Sequence, residues 1–467
     1  MDTIISAYGT MPGDGPKYRR LADAIRARIA AGQLAAGQKL PPVRDLAYDL
    51  GITPGTVARA YTILTDSGLA EAQVGRGTFI AAPEAASPEA TFVWHQPEPS
   101  ATPGLVSLYS PRLPDRGQVQ LIQSAFARLA AMPADRLLNY PSRAGFRPAR
   151  QAVLDWLGET PLGPVSEQDM VLSHGGQNGI GLVMQAVLRG TRPTILVEEL
   201  SYPGFRRAAD LLRAEVVAVP MDGQGLIPEE LDRLARKHDA QLLCTSPEIH
   251  NPTGLCTPLA RREAVVEVAA RRGFHILDDD CYRLGRPAAL SYRAILPEQS
   301  WYVSSISKTI TPALRVGFTI APKGWRSELR RVAEHGFFGL AQPLADLVCD
   351  LLRDPALPHV LGEVRAAYAR YIRAAVNGLG AFDITWREDM PFLWLRLPAG
   401  WRAAAFVQAA EVQGVQLRAA DEFALRDGFA PHAVRLSINA QVPLAEFEAA
   451  IGRLRALLDD PPERIAV

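Results

Sequence analysis

Hydrophobic periodicity changes character across a single interruption, and that change constrains the fold more than any one motif does. Between about Ala82 and Leu105, Pro83, Pro88, Pro97, Pro99 and Pro103 punctuate a run of Ala, Ser, Glu and Thr without a sustained period. Before it, apolar residues recur at helical spacing. After it, short apolar runs alternate with amphipathic helices. One core does not serve both patterns, so the chain divides into an N-terminal module (1–81), a linker (82–105) and a large domain (106–467). A linker of about 24 residues has a flexible end-to-end distance of about 27 Å and an extended reach near 80 Å. It can join domains of one chain or reach a neighbouring protomer.

The N-terminal pattern reads as three helices and a hairpin. Tyr18, Leu21, Ile25 and Ile29 share one helix face, and Gly32 and Gly37 break it. Pro42 to Leu50 forms a second helix, Gly51 the turn, and Thr53 the cap of a third helix starting at Pro54. Gly68 stops that helix, and Leu69 to Ile80 folds back around Gly75-Arg76-Gly77. This winged helix-turn-helix, mainly α with a β-wing, places Thr53, Thr56 and Arg59 on the recognition helix, Arg44 beside it and Arg76 at the wing tip, where they can meet phosphates and base edges. Three helices at this spacing also serve as packing modules. Lys plus Arg and Asp plus Glu each total 50 over the 467 residues, so any DNA-binding surface must be local.

In the large domain, apolar runs at 171–172, 195–197, 216–219, 242–243, 274–277, 302–303 and 317–320 alternate with helices, as in a mostly parallel α/β sheet. From about Ala341, long helices such as 360–379 and strands at 392–397 and 434–438 define a smaller α+β lobe. The four cysteines lack redox or zinc spacing, and no metal site is expected. Met1 to Thr10 has no export signal and no window approaches 18 apolar residues, so a cytoplasmic protein without membrane contact is expected.

Lys308, in Ser304-Ser305-Ile306-Ser307-Lys308-Thr309, follows an apolar strand and precedes Arg315 by seven residues. Hydroxyls and a guanidinium around a lysine suit a Schiff base beside an anion, although a solvated loop lysine has the same neighbours. Asp279 and Tyr282 can set a carboxylate on a pyridinium nitrogen and a phenol on a ring oxygen; an acidic strand end is the simpler alternative. Asn251 offers an amide, or merely a turn. Gly176 and Gln177 lead into a helix over 178–188 whose N-terminus suits a phosphate, and Tyr202 can stack on a ring or fill a core.

The run Leu40-Pro41-Pro42-Val43-Arg44-Asp45-Leu46-Ala47, with Leu50-Gly51-Ile52-Thr53, Thr56-Val57, Ala60-Tyr61 and Gly75-Arg76-Gly77-Thr78-Phe79, resembles the GntR-type winged helix-turn-helix over about residues 15–81. The resemblance implies operator DNA as partner and Arg44 as a DNA contact. Pro54 departs from it, because many members carry Arg there. The ordered set Gly176, Gln177, Tyr202, Asn251, Asp279, Tyr282, Lys308 and Arg315 resembles class I/II aminotransferases of fold type I from about residue 105 onward. That resemblance implies pyridoxal 5'-phosphate (PLP) on Lys308, with Ser305, Ser307 and Arg315 at its phosphate. It also implies Arg435 on the carboxylate of an amino-compound effector and Tyr140 reaching the phosphate of a partner subunit in a homodimer, with exchange of domains between protomers left open. The fusion is similar to the MocR subfamily of GntR regulators. It implies a DNA-binding transcriptional regulator that senses an amino compound or PLP through aldimine chemistry at Lys308. His250-Asn251-Pro252-Thr253-Gly254 is closer to working aminotransferases, so an active enzyme with an accessory DNA-binding module is the alternative.

Overall fold

The computed structural model describes residues 8, 16–35, 37–66, 69–73, 77–80, 104–132, 137–425, 428 and 430–461. Contacts divide the chain into two compact units, residues 1–96 and 97–467.

In the first unit the helices Lys17–Ala30, Val43–Leu50 and Pro54–Asp66 precede antiparallel strands Ala70–Gln73 and Gly77–Ile80, with Ala70 opposite Ile80. Each boundary has a local cause. Pro42, extended, precedes Val43, so the second helix begins one residue later than the sequence pattern suggests. Gly51 ends that helix at φ +61, a conformation that other residues rarely adopt. The Thr53 hydroxyl accepts from the Thr56 backbone N–H at 3.3 Å, satisfying a donor at the start of the third helix. Leu21, Ile25, Leu46, Val57 and Leu64 meet in the core. The Tyr61 hydroxyl donates to the Pro41 carbonyl at 2.8 Å, fastening the third helix to the entry of the second. Gly68, Gly75 and Arg76 lie outside the described residues, as does the linker from 82 to 103.

The second unit is built on a seven-stranded sheet in the order Met170–Ser173, Gly317–Ile320, Ser300–Ser305, His275–Asp279, Leu242–Thr245, Thr194–Glu198, Glu215–Val219. All neighbours run parallel except Gly317–Ile320, which is antiparallel to both of its partners. The central strands are buried along their whole length, with helices on both faces. This explains why they read as continuous apolar runs rather than as alternation. The four cysteines are free. Among the described residues no helix is long and apolar enough to cross a membrane, and no cluster of side chains could hold a metal ion.

The smaller lobe is a four-stranded antiparallel sheet ordered Ile384–Thr385, Phe392–Arg396, Ala433–Ser437, Arg418–Ala419 and packed against helices Leu357–Leu379 and Leu444–Asp459. The change of pattern at about Ala341 marks where long helices begin, not where this lobe begins. Helix Gln342–Leu352 places Ala345, Val348 and Leu351 in the core of the larger lobe. Val106 and Leu108, just after the linker, enter the core of the smaller one, because Val106–Ser107 pairs in parallel with Val415–Gln416.

Leu64→Ala should cost the N-terminal module about 2–5 kcal/mol, a large share of what so small a core provides. Its thermal transition should fall by at least about 8 °C while that of the large unit is unchanged. A shift of both transitions in calorimetry would show that the units are energetically coupled.

Candidate functional site

Parallel strands bring their carboxyl ends to one edge of the sheet, where open α/β folds form their crevice. Tyr202 follows Thr194–Glu198, Asn251 follows Leu242–Thr245, Asp279 closes His275–Asp279, and Ser307 and Lys308 lie in the turn after Ser300–Ser305.

The lysine and the tyrosine are the electrostatic centre of this edge. Lys308 Nζ lies 5.7 Å from the centre of the Tyr282 ring. Burial lowers the proton affinity of the amine. Tyr282 opposes that shift, and Arg435 and Arg315 reinforce it. Burial alone would raise the Tyr282 phenol, but Arg435, Lys308 and Arg418 outweigh it, so the phenol is lowered. Its ring meets Phe392 edge-on at 5.3 Å.

Three consecutive acids end one strand, and alternation turns Asp279 to the face opposite its neighbours. Asp278 Oδ2 accepts from the Tyr292 backbone N–H at 3.1 Å. Asp280 Oδ2 accepts from the Tyr302 hydroxyl and from Arg283 Nε, each at 2.7 Å. These two acids hold the frame. Asp279 is only 7% exposed, and among the described residues its Oδ1 has no hydrogen-bond partner. Burial pushes its carboxyl up to about 6, with the Cys281 thiol opposing.

Asn251 Oδ1 accepts from Arg435 Nη1 at 2.6 Å, while Asn251 Nδ2 and Arg435 Nε are buried without a hydrogen-bond partner among the described residues. Arg435 Nη2 donates to the Tyr109 carbonyl at 3.0 Å. The helix expected over 178–188 spans Gly175–Val187, which sets the backbone N–H groups of Gly176 and Gln177 in its first turn. A Cβ on Gly175 would lie 2.9 Å from Arg315 Nη2, and one on Gly176 would lie 2.6 Å from Cys281 Sγ, so only glycine leaves this cradle open. Ser305 Oγ accepts from the Ser307 backbone N–H at 3.4 Å, and Ser307 Oγ is buried without a partner among the described residues. Gln177 Nε2 donates to the Gly204 carbonyl at 2.9 Å, tying the cradle to the turn that carries Tyr202. Tyr140 stands outside the cluster, 88% exposed, its ring 6.3 Å from that of Phe338.

In the first unit Arg44, Thr53 and Arg59 are exposed and Thr56 is half-buried. The Thr53 and Thr56 hydroxyls bond one another at 2.9 Å. The Arg59 guanidinium stacks 4.1 Å from the Tyr18 ring centre, which fixes it against the first helix. Residues 17–80 contain nine Lys and Arg against five Asp and Glu, a local positive excess in a chain of zero formal net charge.

A winged helix-turn-helix joined to a fold type I aminotransferase unit defines a class of DNA-binding regulators, and comparison with known proteins agrees with that class. Residues 113–454 match the family Aminotransferase class I and II, and residues 17–80 match Bacterial regulatory proteins, gntR family. The vitamin B6 salvage pathway transcriptional repressor PtsJ of Salmonella typhimurium is 30% identical over 411 residues, covering 85% of this chain and 89% of that one. The probable rhizopine catabolism regulatory protein MocR of Rhizobium meliloti is 25% identical over 377 residues, 76% of each chain. In structure, LysN, the alpha-aminoadipate aminotransferase of Thermus thermophilus, complexed with N-(5'-phosphopyridoxyl)-L-leucine, superposes with a TM-score of 0.67 at 24% identity, covering 76% of this chain and 92% of that one. The chain belongs to the GntR-type transcriptional regulators with a class I and II aminotransferase domain, the MocR subfamily. Its cofactor is PLP, and regulators of the gntR family bind operator DNA.

Sequence reasoning missed Cys281, Tyr109 and Arg418. Cys281 had a signal, lying between Asp279 and Tyr282. Tyr109 and Arg418 had none, since only strand pairing brings them to the site.

An acid whose folded-state proton affinity is raised makes stability fall as pH rises from about 4, the usual carboxylate value, through its folded value of about 6. Asp279→Asn should therefore raise the thermal midpoint of the cofactor-free chain at pH 8 and change it little at pH 4, while weakening cofactor retention. Equal midpoints for variant and wild type at pH 8 would remove Asp279 from this account.

Proposed function

We propose that this regulator reads an amino compound, or PLP itself, at Lys308 and converts its occupancy into a change in operator binding. Four buried polar atoms without a hydrogen-bond partner among the described residues, Asp279 Oδ1, Asn251 Nδ2, Ser307 Oγ and Arg435 Nε, support this reading. Such atoms are destabilising unless a ligand completes them, and their chemistry fits PLP and an amino acid in turn. When bound, PLP supplies an aldehyde that bonds amines and a pyridine ring that withdraws electron density.

Each residue then has a distinct task. Lys308 offers the amine, and its lowered proton affinity keeps more of it neutral and able to bond carbon. Asp279 Oδ1 would accept from the pyridinium N–H, whose positive charge favours the ionised carboxyl. Asn251 Nδ2 and the Tyr282 phenol would meet the ring oxygen, and Tyr202 would cover the ring. Ser305, Ser307, Arg315 and the N–H groups of Gly176 and Gln177 would hold the phosphate. Arg435 takes the carboxylate of the incoming amine. The exposed Tyr140 reaches the cofactor phosphate of a partner subunit, so the working form is a homodimer. On DNA, Arg44, Thr53, Thr56, Arg59 and Arg76 make the contacts.

Borohydride treatment of the PLP-loaded chain, followed by peptide mapping, should label Lys308, and Lys308→Ala should abolish the label. Label on Lys323 would overturn the assignment.

The intact Asn251–Arg435 pair favours a second reading, a turning-over aminotransferase. To separate the two, amines that change the cofactor absorbance are tested for operator binding, on a duplex selected in vitro, and for keto-acid release. Regulation predicts a change in DNA affinity with turnover far below the roughly 10 per second of typical enzymes. Turnover near that rate with no effect on DNA would make the chain an enzyme.

A further inference from the structure

Arg418 and Arg435 lie directly opposite one another on adjacent antiparallel strands, so both guanidiniums project from the same face. Both sit over the Phe423 ring, at 5.2 and 5.1 Å from its centre. Like charges in this position repel, and an anion beside them relieves the repulsion. Among the described residues that compensation is incomplete. Arg435 is bonded to neutral acceptors, the Asn251 amide oxygen and the Tyr109 carbonyl. Among the described residues Arg418 has one carboxylate, Glu422, and uses one oxygen of it: Nε at 2.9 Å, Nη2 at 2.9 Å and the Tyr109 hydroxyl at 2.9 Å all meet Oε2. The planar fork of Arg418, which matches two carboxylate oxygens, thus meets only one.

The two partners of that ion pair differ in freedom. Arg418 is clamped between Phe423 and the Tyr109 ring, 4.3 Å from the centre of the latter, and its side chain is 11% exposed. Glu422 ends a three-residue turn, and its side chain is 35% exposed. The arginine is fixed and the carboxylate can swing into water, so the exchangeable member is the acid.

We propose that Arg418, Tyr109 and Glu422 form a subsite for a second carboxylate, and that the ligand is an amino dicarboxylate of about four to six carbons, a span set by the cross-strand spacing. The α-carboxylate lies on Arg435. The distal carboxylate takes both arms of Arg418 and the Tyr109 hydroxyl, releasing Glu422 to solvent. This rests on the reading of Arg435 as the α-carboxylate site.

The test titrates the PLP-loaded full chain with L-aspartate, L-glutamate and L-2-aminoadipate against L-glutamine, L-alanine and L-lysine, following cofactor absorbance. Calorimetry of the cofactor-free chain with glutarate against butyrate gives a readout independent of the cofactor. One of the diacids should bind at least about tenfold more tightly than glutamine, as expected of a charge-assisted pair. Arg418→Met should bring that ratio close to one with glutamine affinity retained, Arg418→Lys should restore part of it, and Glu422→Gln should tighten the diacid by removing its competitor. If Arg418→Met does not fold, the gain in Glu422→Gln decides. The proposal is overturned by a diacid preference that survives Arg418→Met, by equal loss of glutamine and glutamate, by no gain in Glu422→Gln, or by a preference for lysine. If no amine alters the absorbance but glutarate binds in an Arg418-dependent manner, the sensing reading fails and the subsite stands. Amine responses without diacid preference overturn the subsite alone.

Discussion

A guanidinium with no exposed surface sits where the two lobes of the large unit meet, and the site is arranged around it. Arg435 belongs to the small-lobe sheet, and its 2.6 Å bond to Asn251 reaches the loop after a large-lobe strand. Burial lowers its proton affinity, the direction expected of a charge removed from water. Neutral acceptors and the Phe392 and Phe423 rings only partly offset that penalty. The residues around this fully buried cation are those whose proton affinity it alters.

The sheet makes this arrangement possible by sorting acids between frame and function. Asp278 and Asp280 anchor the strand end through Tyr292, Tyr302 and Arg283, which leaves Asp279 to face the crevice with one oxygen unbonded. Glu198, on the next strand but one, is also buried and pushed up to about 7 by burial, with Thr245 and the Ser246 N–H opposing. Acids that bind their protons this tightly lower the stability of the unit as pH rises through their folded values. A cation brought against Asp279 would offset its share of that loss.

Much of this was legible in the chain because the family resemblance rests on local motifs. Lys308 with its serines, Asp279 with Tyr282, and Thr53 with Thr56 are each set by spacing within a few residues, and a strand or helix carries such spacing directly into space. Register across strands is different. Nothing near Arg418 signals that it faces Arg435, because the two are joined only by antiparallel pairing between segments whose separation in sequence carries no rule. The same blindness hid Val106 and Leu108 in the small-lobe core and placed the lobe transition at a change of helix length. Boundaries moved where capping decided them, as at Gly175, whose φ of +77 lets the helix start before the expected residue.

Recognition and chemistry share one electrostatic field here. Arg435 and Arg418 lower the Tyr282 phenol, and Arg435 lowers the Lys308 amine. A carboxylate on Arg435 cancels part of its field, so burial regains control of the phenol and raises it, while the amine loses a repulsive neighbour and also moves up. A carboxylate on Arg418 replaces that of Glu422 rather than adding to it, so the field of Arg418 at the phenol changes little. Titrations coupled this closely belong to the cluster rather than to any one residue. Only a difference in ligand affinity between two conformations of the chain can pass occupancy of such a site on to DNA.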